Sequence, residues 1–225
     1  MAKKKKKRVF KVKNIILFIV LFCGIFLLIY YGITMPVKNI YVKGNQIVSD
    51  QEILRLSGLD QYPSFLLTRY SSIRKGILKS PYVGGVRVHK RMGNIVVVDI
   101  SEYSPICLFG DSVILENGLV LENQYHLSDV PLLLNEIADQ KIYSKFVKKM
   151  GSVDQNILRQ VSEIEYQPLE VDEERFLLYM NDGNLVYITL TKILKLNKYN
   201  QIRDKLDGHT GIIYLDSGDY VEIKN

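Results

Sequence analysis

From Asn14 to Met35 the chain reads NIILFIVLFCGIFLLIYYGITM, without a charged side chain, and its run from Ile15 to Ile29 is apolar except at Gly24. Asn14 to Ile33 is 20 residues, which as an α-helix rise about 30 Å, the thickness of a bilayer's hydrocarbon core. A helix also satisfies its own backbone hydrogen bonds, as a lipid-embedded segment must. Tyr30 and Tyr31 fall at its exit, where amphipathic rings favour the membrane–water boundary. A cleaved signal would carry a shorter apolar core followed by a small-residue site. Here the next residues are YYGITMPVK, so the pattern predicts an uncleaved signal-anchor over 14–35.

After Pro36 the period changes. Val37, Ile40 and Val42 in VKNIYVKGN predict a strand closed by a Gly44-Asn45 turn. In VSDQEILRLSGL, Ser49 is an N-cap, Glu52 completes a capping box, and Ile53, Leu54 and Leu56 open an apolar face before the Gly58 stop. A second helix is expected at Ser72–Lys79, with Ile73, Ile77 and Leu78 on one side, broken by Pro81. Two strands come next, Val83–Lys90 and Asn94–Glu102, joined through Arg91-Met92-Gly93. The order β-α-α-β-β suits two helices laid on one face of a three-stranded sheet.

The remainder is expected to be a mixed α/β domain with an antiparallel sheet, after a boundary near Tyr103–Pro105. Cys107–Leu121 reads as a hairpin around Glu116-Asn117-Gly118. Helical patterns are expected around Gln140–Lys149 and Asp154–Glu163, the second with Ile157, Leu158, Val161 and Ile164. Arg175–Met180 and Leu185–Leu190 form a hairpin across Asn181-Asp182-Gly183-Asn184. Thr191–Leu206 reads as one amphipathic helix, with Ile193, Leu194, Tyr199, Ile202 and Leu206 on its face and Gly208 as its stop. GIIYLDSGDYVEIKN is strand, with Asp216-Ser217-Gly218-Asp219 as a bulge or tight turn.

Charge is unevenly distributed along the chain. The formal net charge is +6, but of the 30 Lys and Arg eight lie in residues 1–13, which hold no acid; the other 22 face 24 Asp and Glu, leaving about −2 beyond the leader. The basicity is therefore an orientation signal, not a nucleic-acid footprint. It keeps the amino terminus in the cytoplasm and sends 36–225 across the membrane. Cys23 lies in the span and Cys107 alone beyond it, so no intradomain disulfide is available and the outer part must rely on a core.

No chemistry emerges from the motifs. His89, His126 and His209 are isolated, with no zinc spacing, and Cys107 carries no thiol-enzyme signature. There is no G-x-S-x-G, S-x-x-K or phosphate-binding loop, and Asp172, Glu173 and Glu174 read as a solvated turn. The expectation is a non-enzyme without cofactor or metal. Binding surface remains, and Gly211–Ile223 is its foremost candidate. A final strand often lies at a sheet edge, whose unpaired backbone accepts a strand from another chain, unless the domain covers that edge itself.

VKNIYVKGNQIVSDQEILRLSGL and then SPYVGGVRVHKRMGNIVVVDISEYSP resemble a POTRA domain: a strand with a Gly-Asn turn, an S-x-x-E helix start, an S-P-Y-V approach to the second strand and an E-x-x-P ending. The turn at Glu116-Asn117-Gly118 and the stretch HLSDVPLLLN resemble the region after the POTRA domain in the FtsQ/DivIB family of bacterial cell-division proteins. That resemblance implies an α+β protein: a basic cytoplasmic leader (1–13), one transmembrane helix (14–35), a POTRA domain (36–103) and an FtsQ/DivIB-type β-rich domain (104–225). It implies a non-enzymatic divisome scaffold at the septum, binding FtsB/DivIC-type and FtsL-type bitopic partners beside the septal wall synthase. Carried over to this chain, the partner-binding segment is Tyr214, Asp216, Ser217, Gly218, Tyr220 and Val221. With no Trp in the chain, the aromatic anchor is Tyr214 or Tyr220. The alternative is a membrane-anchored POTRA protein that chaperones or delivers secreted polypeptides. Within the span, Gly24 has no second small residue at GxxxG spacing to strengthen a helix–helix contact.

Overall fold

The computed structural model describes residues 12–223; most of the basic leader lies outside them. The chain forms two compact units that divide between Glu102 and Tyr103. The apolar stretch is helix α1, Val12–Thr34, and none of its residues is buried by protein. It has the length and composition of a membrane span.

The rest of the first unit is a three-stranded sheet, β1 (Asn39–Lys43), β2 (Val83–Arg91) and β3 (Ile95–Glu102), in the order β1-β3-β2. β1 runs parallel to β3 and β2 antiparallel to it. β3 is the inner strand, and Val96, Val97, Val98 and Ile100 are all buried. Helices α2 (Asp50–Ser57) and α3 (Tyr70–Ile77) contribute Ile53, Ile73 and Ile77 to the same core. Ser49 caps α2, its hydroxyl accepting from the Glu52 N–H, and Gly58 ends it in the left-handed region at φ 70°. The two helices meet at Gly76, where an added Cβ would lie 2.0 Å from the Leu56 carbonyl oxygen. Only glycine allows that approach.

Glu102 closes this unit. Its carboxylate accepts the backbone N–H groups of Gln46 (2.8 Å), Ile47 (2.8 Å) and Val48 (2.9 Å), tying the end of β3 to the loop after β1. The glutamate of the E-x-x-P ending is thus a fastener for three otherwise unpaired donors.

The second unit is built on one nine-stranded sheet: β4 (Pro105–Phe109), β5 (Ser112–Leu115), β6 (Val120–Glu122), β7 (Leu132–Leu133), β8 (Val161–Tyr166), β9 (Arg175–Met180), β10 (Leu185–Thr189), β11 (Gly211–Tyr214) and β12 (Tyr220–Ile223). Its order is β12-β11-β10-β9-β8-β7-β4-β5-β6. Most pairs are antiparallel; β10–β11, β4–β7 and β7–β8 are parallel. Phe176, Leu178, Val186, Ile188 and Ile213 face one core, which helix α4 (Gln140–Met150) covers with Ile142, Phe146, Val147 and Met150.

Three sequence expectations need correction. The helix expected at Asp154–Glu163 is only α5, Gln155–Leu158, capped by Asp154; Val161 onward is β8. A bulge between Val161 and Glu163 breaks the strand's alternation and turns both Val161 and Ile164 to the core, which gave the segment a helical spacing. Thr191–Leu206 is not one α-helix. It is a 3₁₀ helix, Leu190–Lys198, then a short α6, Tyr199–Arg203, and a last 3₁₀ turn to Leu206. Buried Leu190, Ile193, Leu196 and Tyr199 recur every three residues, the 3₁₀ repeat, and Leu194 points to solvent. Cys107–Leu121 holds two turns rather than one, since the chain also reverses at Gly110-Asp111 between β4 and β5.

Candidate partner-binding edge

β12 is the outermost strand of the large sheet and pairs only with β11 among the described residues. In an antiparallel pair every second residue turns its N–H and C=O away from the partner strand. Tyr220–Ile223 therefore presents a row of outward backbone groups. Tyr220 and Ile223 are each about half exposed, whereas Val221 tucks against the core.

The six residues expected to bind a partner divide among three places. Tyr220 and Val221 are on β12 itself. Tyr214 is on β11, one strand in, and pairs directly with Tyr220. Asp216, Ser217 and Gly218 form the connecting turn, a tight turn between two strands and not a bulge. The register also aligns Tyr187 of β10 with Tyr214. The three rings stack across the sheet face opposite the core, Tyr187 to Tyr214 at 5.3 Å and Tyr214 to Tyr220 at 4.6 Å between centroids. Such a ladder stabilises neighbouring strands by side-chain pairing. It also gives the edge a continuous aromatic flank.

Arg175 anchors the ladder and the turn together. Its guanidinium carbon lies 3.9 Å from the Tyr187 ring centroid, and its Nε donates to Asp216 Oδ2 at 2.7 Å. This ion pair is largely shielded, with side-chain exposures of 14% and 9%. Burial alone would push the Asp216 carboxyl up. The hydrogen bonds from Arg175 and Ser217 and the Arg175 charge outweigh it and hold the carboxyl below its ordinary value. Lys192 Nζ donates to the Asp216 carbonyl oxygen at 2.5 Å, and the Leu215 N–H to the Tyr187 carbonyl at 2.8 Å. On the other side of the turn Lys195 binds Asp219 at 2.6 Å, and its hydrogen bond lowers the Asp219 pKa.

At the far end of β11, buried Asn184 sets the position of the strand. Its Oδ1 accepts the Gly211 N–H at 2.8 Å, while its amide donates to Asp182 Oδ1 and the Tyr199 hydroxyl oxygen. Gly211 is required where β12 crosses, because a Cβ there would lie 2.6 Å from the Glu222 carbonyl oxygen. Beside β12 a groove runs along the 190–206 helical segment, with Lys198 and Lys205 at its rim and Ile202, Tyr220 and Val221 on its wall.

The sequence reading missed Arg175, Tyr187, Lys192 and Asn184. The alternating Leu185-x-Tyr187 and Ile212-x-Tyr214 patterns signalled aromatic rings on one sheet face. The parallel pairing that stacks them is long-range and leaves no local mark. No group of three His, Cys, Asp or Glu among the described residues could hold a metal ion. Cys107 is fully buried, and desolvation pushes its thiol up to about 12.

Residues 35–103 match the model of the FtsQ-type POTRA domain. Over 219 residues the chain is 32% identical to the cell division protein DivIB of Bacillus subtilis, covering 93% of this chain and 83% of that one. It is 28% identical to DivIB of Geobacillus kaustophilus, over 82% of this chain and 74% of that one. Among solved structures it is similar to the major extracytoplasmic domain of the trans isomer of DivIB from Geobacillus stearothermophilus, at 29% identity and TM-score 0.39, covering 48% of this chain and 96% of that one. A helix long and apolar enough to span a membrane, an FtsQ-type POTRA domain and similarity along nearly the whole chain establish this protein as a member of the DivIB family of bacterial cell division proteins.

Proposed function

We propose that this DivIB-family chain is a non-enzymatic scaffold of the division machinery, working outside the cytoplasm at the septum. In this reading 1–13 stays in the cytoplasm, 14–35 spans the membrane, 36–103 is the POTRA domain and 104–225 is the partner-binding domain. The partners are FtsB/DivIC-type and FtsL-type bitopic proteins, and holding them beside the septal wall synthase helps place wall synthesis. The mechanism is binding geometry without turnover: an incoming strand pairs with β12, backbone hydrogen bonds supply affinity, and the flanking side chains supply choice. The observation that carries the reading is the outermost position of β12, with its aromatic flank Tyr187, Tyr214 and Tyr220.

The test is binding of the full chain in nanodiscs to the cognate DivIC/FtsB-type ectodomain. Tyr220→Asp places a charge on the exposed edge and is expected to weaken binding by about 2 kcal/mol, on the order of 30-fold, as for an aromatic interface anchor. Its stability is expected to fall by only about 1 kcal/mol, the contribution of the lost Tyr214 stack, because Tyr220 is half exposed. Absence of binding by the parent chain would overturn the reading. A parallel loss of folding and binding in the variant would overturn the edge assignment. A fluorescent fusion is expected at mid-cell, and uniform envelope signal would contradict the septal placement.

A further inference from the structure

The membrane helix does not simply end where the first globular unit begins; a loop of that unit folds back along it. The Phe65 N–H donates to the Met35 carbonyl at 2.8 Å, and the Val37 N–H to the Pro63 carbonyl at 2.9 Å. Ser64 Oγ donates to the Ile33 carbonyl, taking up an acceptor that the end of α1 leaves unpaired. Lys90 holds the loop from the sheet side, donating to the carbonyls of Phe65 and Thr68, with its ammonium 4.9 Å from the Phe65 ring centroid. The loop therefore has a fixed place relative to α1.

That place is at membrane depth. About 30 Å of hydrocarbon counted from Asn14 ends near Ile33. Leu66 Cδ1 lies 3.5 Å from the position a Cβ on Gly32 would take, level with the last turn inside that limit. Yet this loop is not buried by protein. Leu66 and Leu67 are 61% and 62% exposed, and Tyr62 and Tyr70 about half exposed. A second tip points the same way. Asn94 Nδ2 donates to the Pro36 carbonyl and the Lys38 N–H donates to the Asn94 carbonyl, so the β2–β3 turn also sits beside the helix exit. At that turn Met92 is 96% exposed. Exposed Lys38, Arg69 and Arg91 lie beside these apolar tips. Apolar and tyrosine side chains with adjacent cations make the composition of a surface that rests in the headgroup layer and attracts anionic lipid.

We infer that Tyr62–Tyr70, together with the Met92 turn, lies in the outer-leaflet interface of the membrane and holds the POTRA domain down on the lipid surface. The hydrogen bonds to Ile33, Met35 and Pro36 set the domain against the helix end, and the lipid contact adds a second hold on its orientation.

The test uses the full chain in phosphatidylglycerol/phosphatidylcholine vesicles, with Cys23→Ala to remove the span's thiol and Cys107 left buried and unreactive. Single cysteines at Leu66→Cys, Leu67→Cys and Met92→Cys carry an environment-sensitive fluorophore. Gln46→Cys, an exposed position at the opposite end of the sheet beside Glu102, is the control. Labels at 66, 67 and 92 are expected to shift to the blue, to be quenched by lipid-borne nitroxides, and to lose severalfold of the iodide quenching seen at 46. Quenching equal to the Gln46 control would overturn the inference. So would protection from iodide without sensitivity to lipid nitroxides, which would mean that a second copy of the chain covers the loop. Leu66→Glu with Leu67→Glu, both exposed and so compatible with folding, is expected to return the Met92 label toward the control value; an unmoved Met92 label would refute a joint docking surface.

Discussion

Replacing Asp216 by Asn tests how the edge strand is held. At 2.7 Å the Arg175–Asp216 pair has a Coulomb attraction of about 6 kcal/mol at the effective dielectric of a partly buried site. Desolvation of both groups takes back most of this. The surplus is that of a charge-assisted hydrogen bond, about 1.5–3 kcal/mol. Asn keeps the shape and loses the charge, so Asp216→Asn is expected to lower the stability of the second unit by about 1–3 kcal/mol. Urea unfolding of the detergent-solubilised chain reads this as a lower midpoint at unchanged slope. Because the pair closes the β11–β12 turn, amide exchange in Tyr220–Ile223 should speed up more than in β9. A double-mutant cycle with Arg175→Met should return a coupling of about 1–3 kcal/mol.

The pH dependence has a definite sign. The folded Asp216 pKa is lowered, so its stabilisation is complete above the unfolded value of about 3.9 and is lost as pH falls through the lower folded value. The gap between parent and Asp216→Asn should be constant from about pH 5 to pH 8 and close below about pH 4. Equal midpoints at neutral pH, or β12 exchange unchanged, would refute the claim that this pair fastens the edge.

Two further predictions concern the first unit. Glu102→Ala frees three backbone N–H groups, one of them on buried Val48, and should cost about 2–4 kcal/mol, with Glu102→Gln losing less; exchange at Val48 measures it. Gly76→Ala gains about 1 kcal/mol of helix propensity but drives a methyl against the Leu56 carbonyl, so overlap wins and the net loss should be about 2–3 kcal/mol in a urea titration.

Much of the first unit was legible because its signals are local. The Ser49 cap and the Gly58 stop act within a turn of the chain, and the alternation around Val96 and Val98 needs only a strand. In the second unit the two helix misreadings share a cause: a spacing of three suits more than one structure. Between Val161 and Ile164 it came from a β-bulge, and from Leu190 to Tyr199 from a 3₁₀ helix; both look like an α-helical face in sequence. The apolar period of three from Leu190 through Tyr199 is the 3₁₀ repeat and marks this segment off from an α-helix. The candidate site was half visible. Tyr220 and Val221 stand on the terminal strand, but Tyr187 and Arg175 reach the site through pairings set by the whole sheet. Whether β12 is an edge depends on nine strands ordering themselves, which no single segment encodes.

Hydrogen exchange across β12, with the full chain in nanodiscs and with and without the cognate DivIC/FtsB-type ectodomain, distinguishes strand addition at this edge from binding elsewhere on the chain. The outward amides of Tyr220–Ile223 are expected to gain protection on binding, as they do when a strand adds to an edge. Saturated binding with those amides exchanging as fast as in the free chain would contradict it.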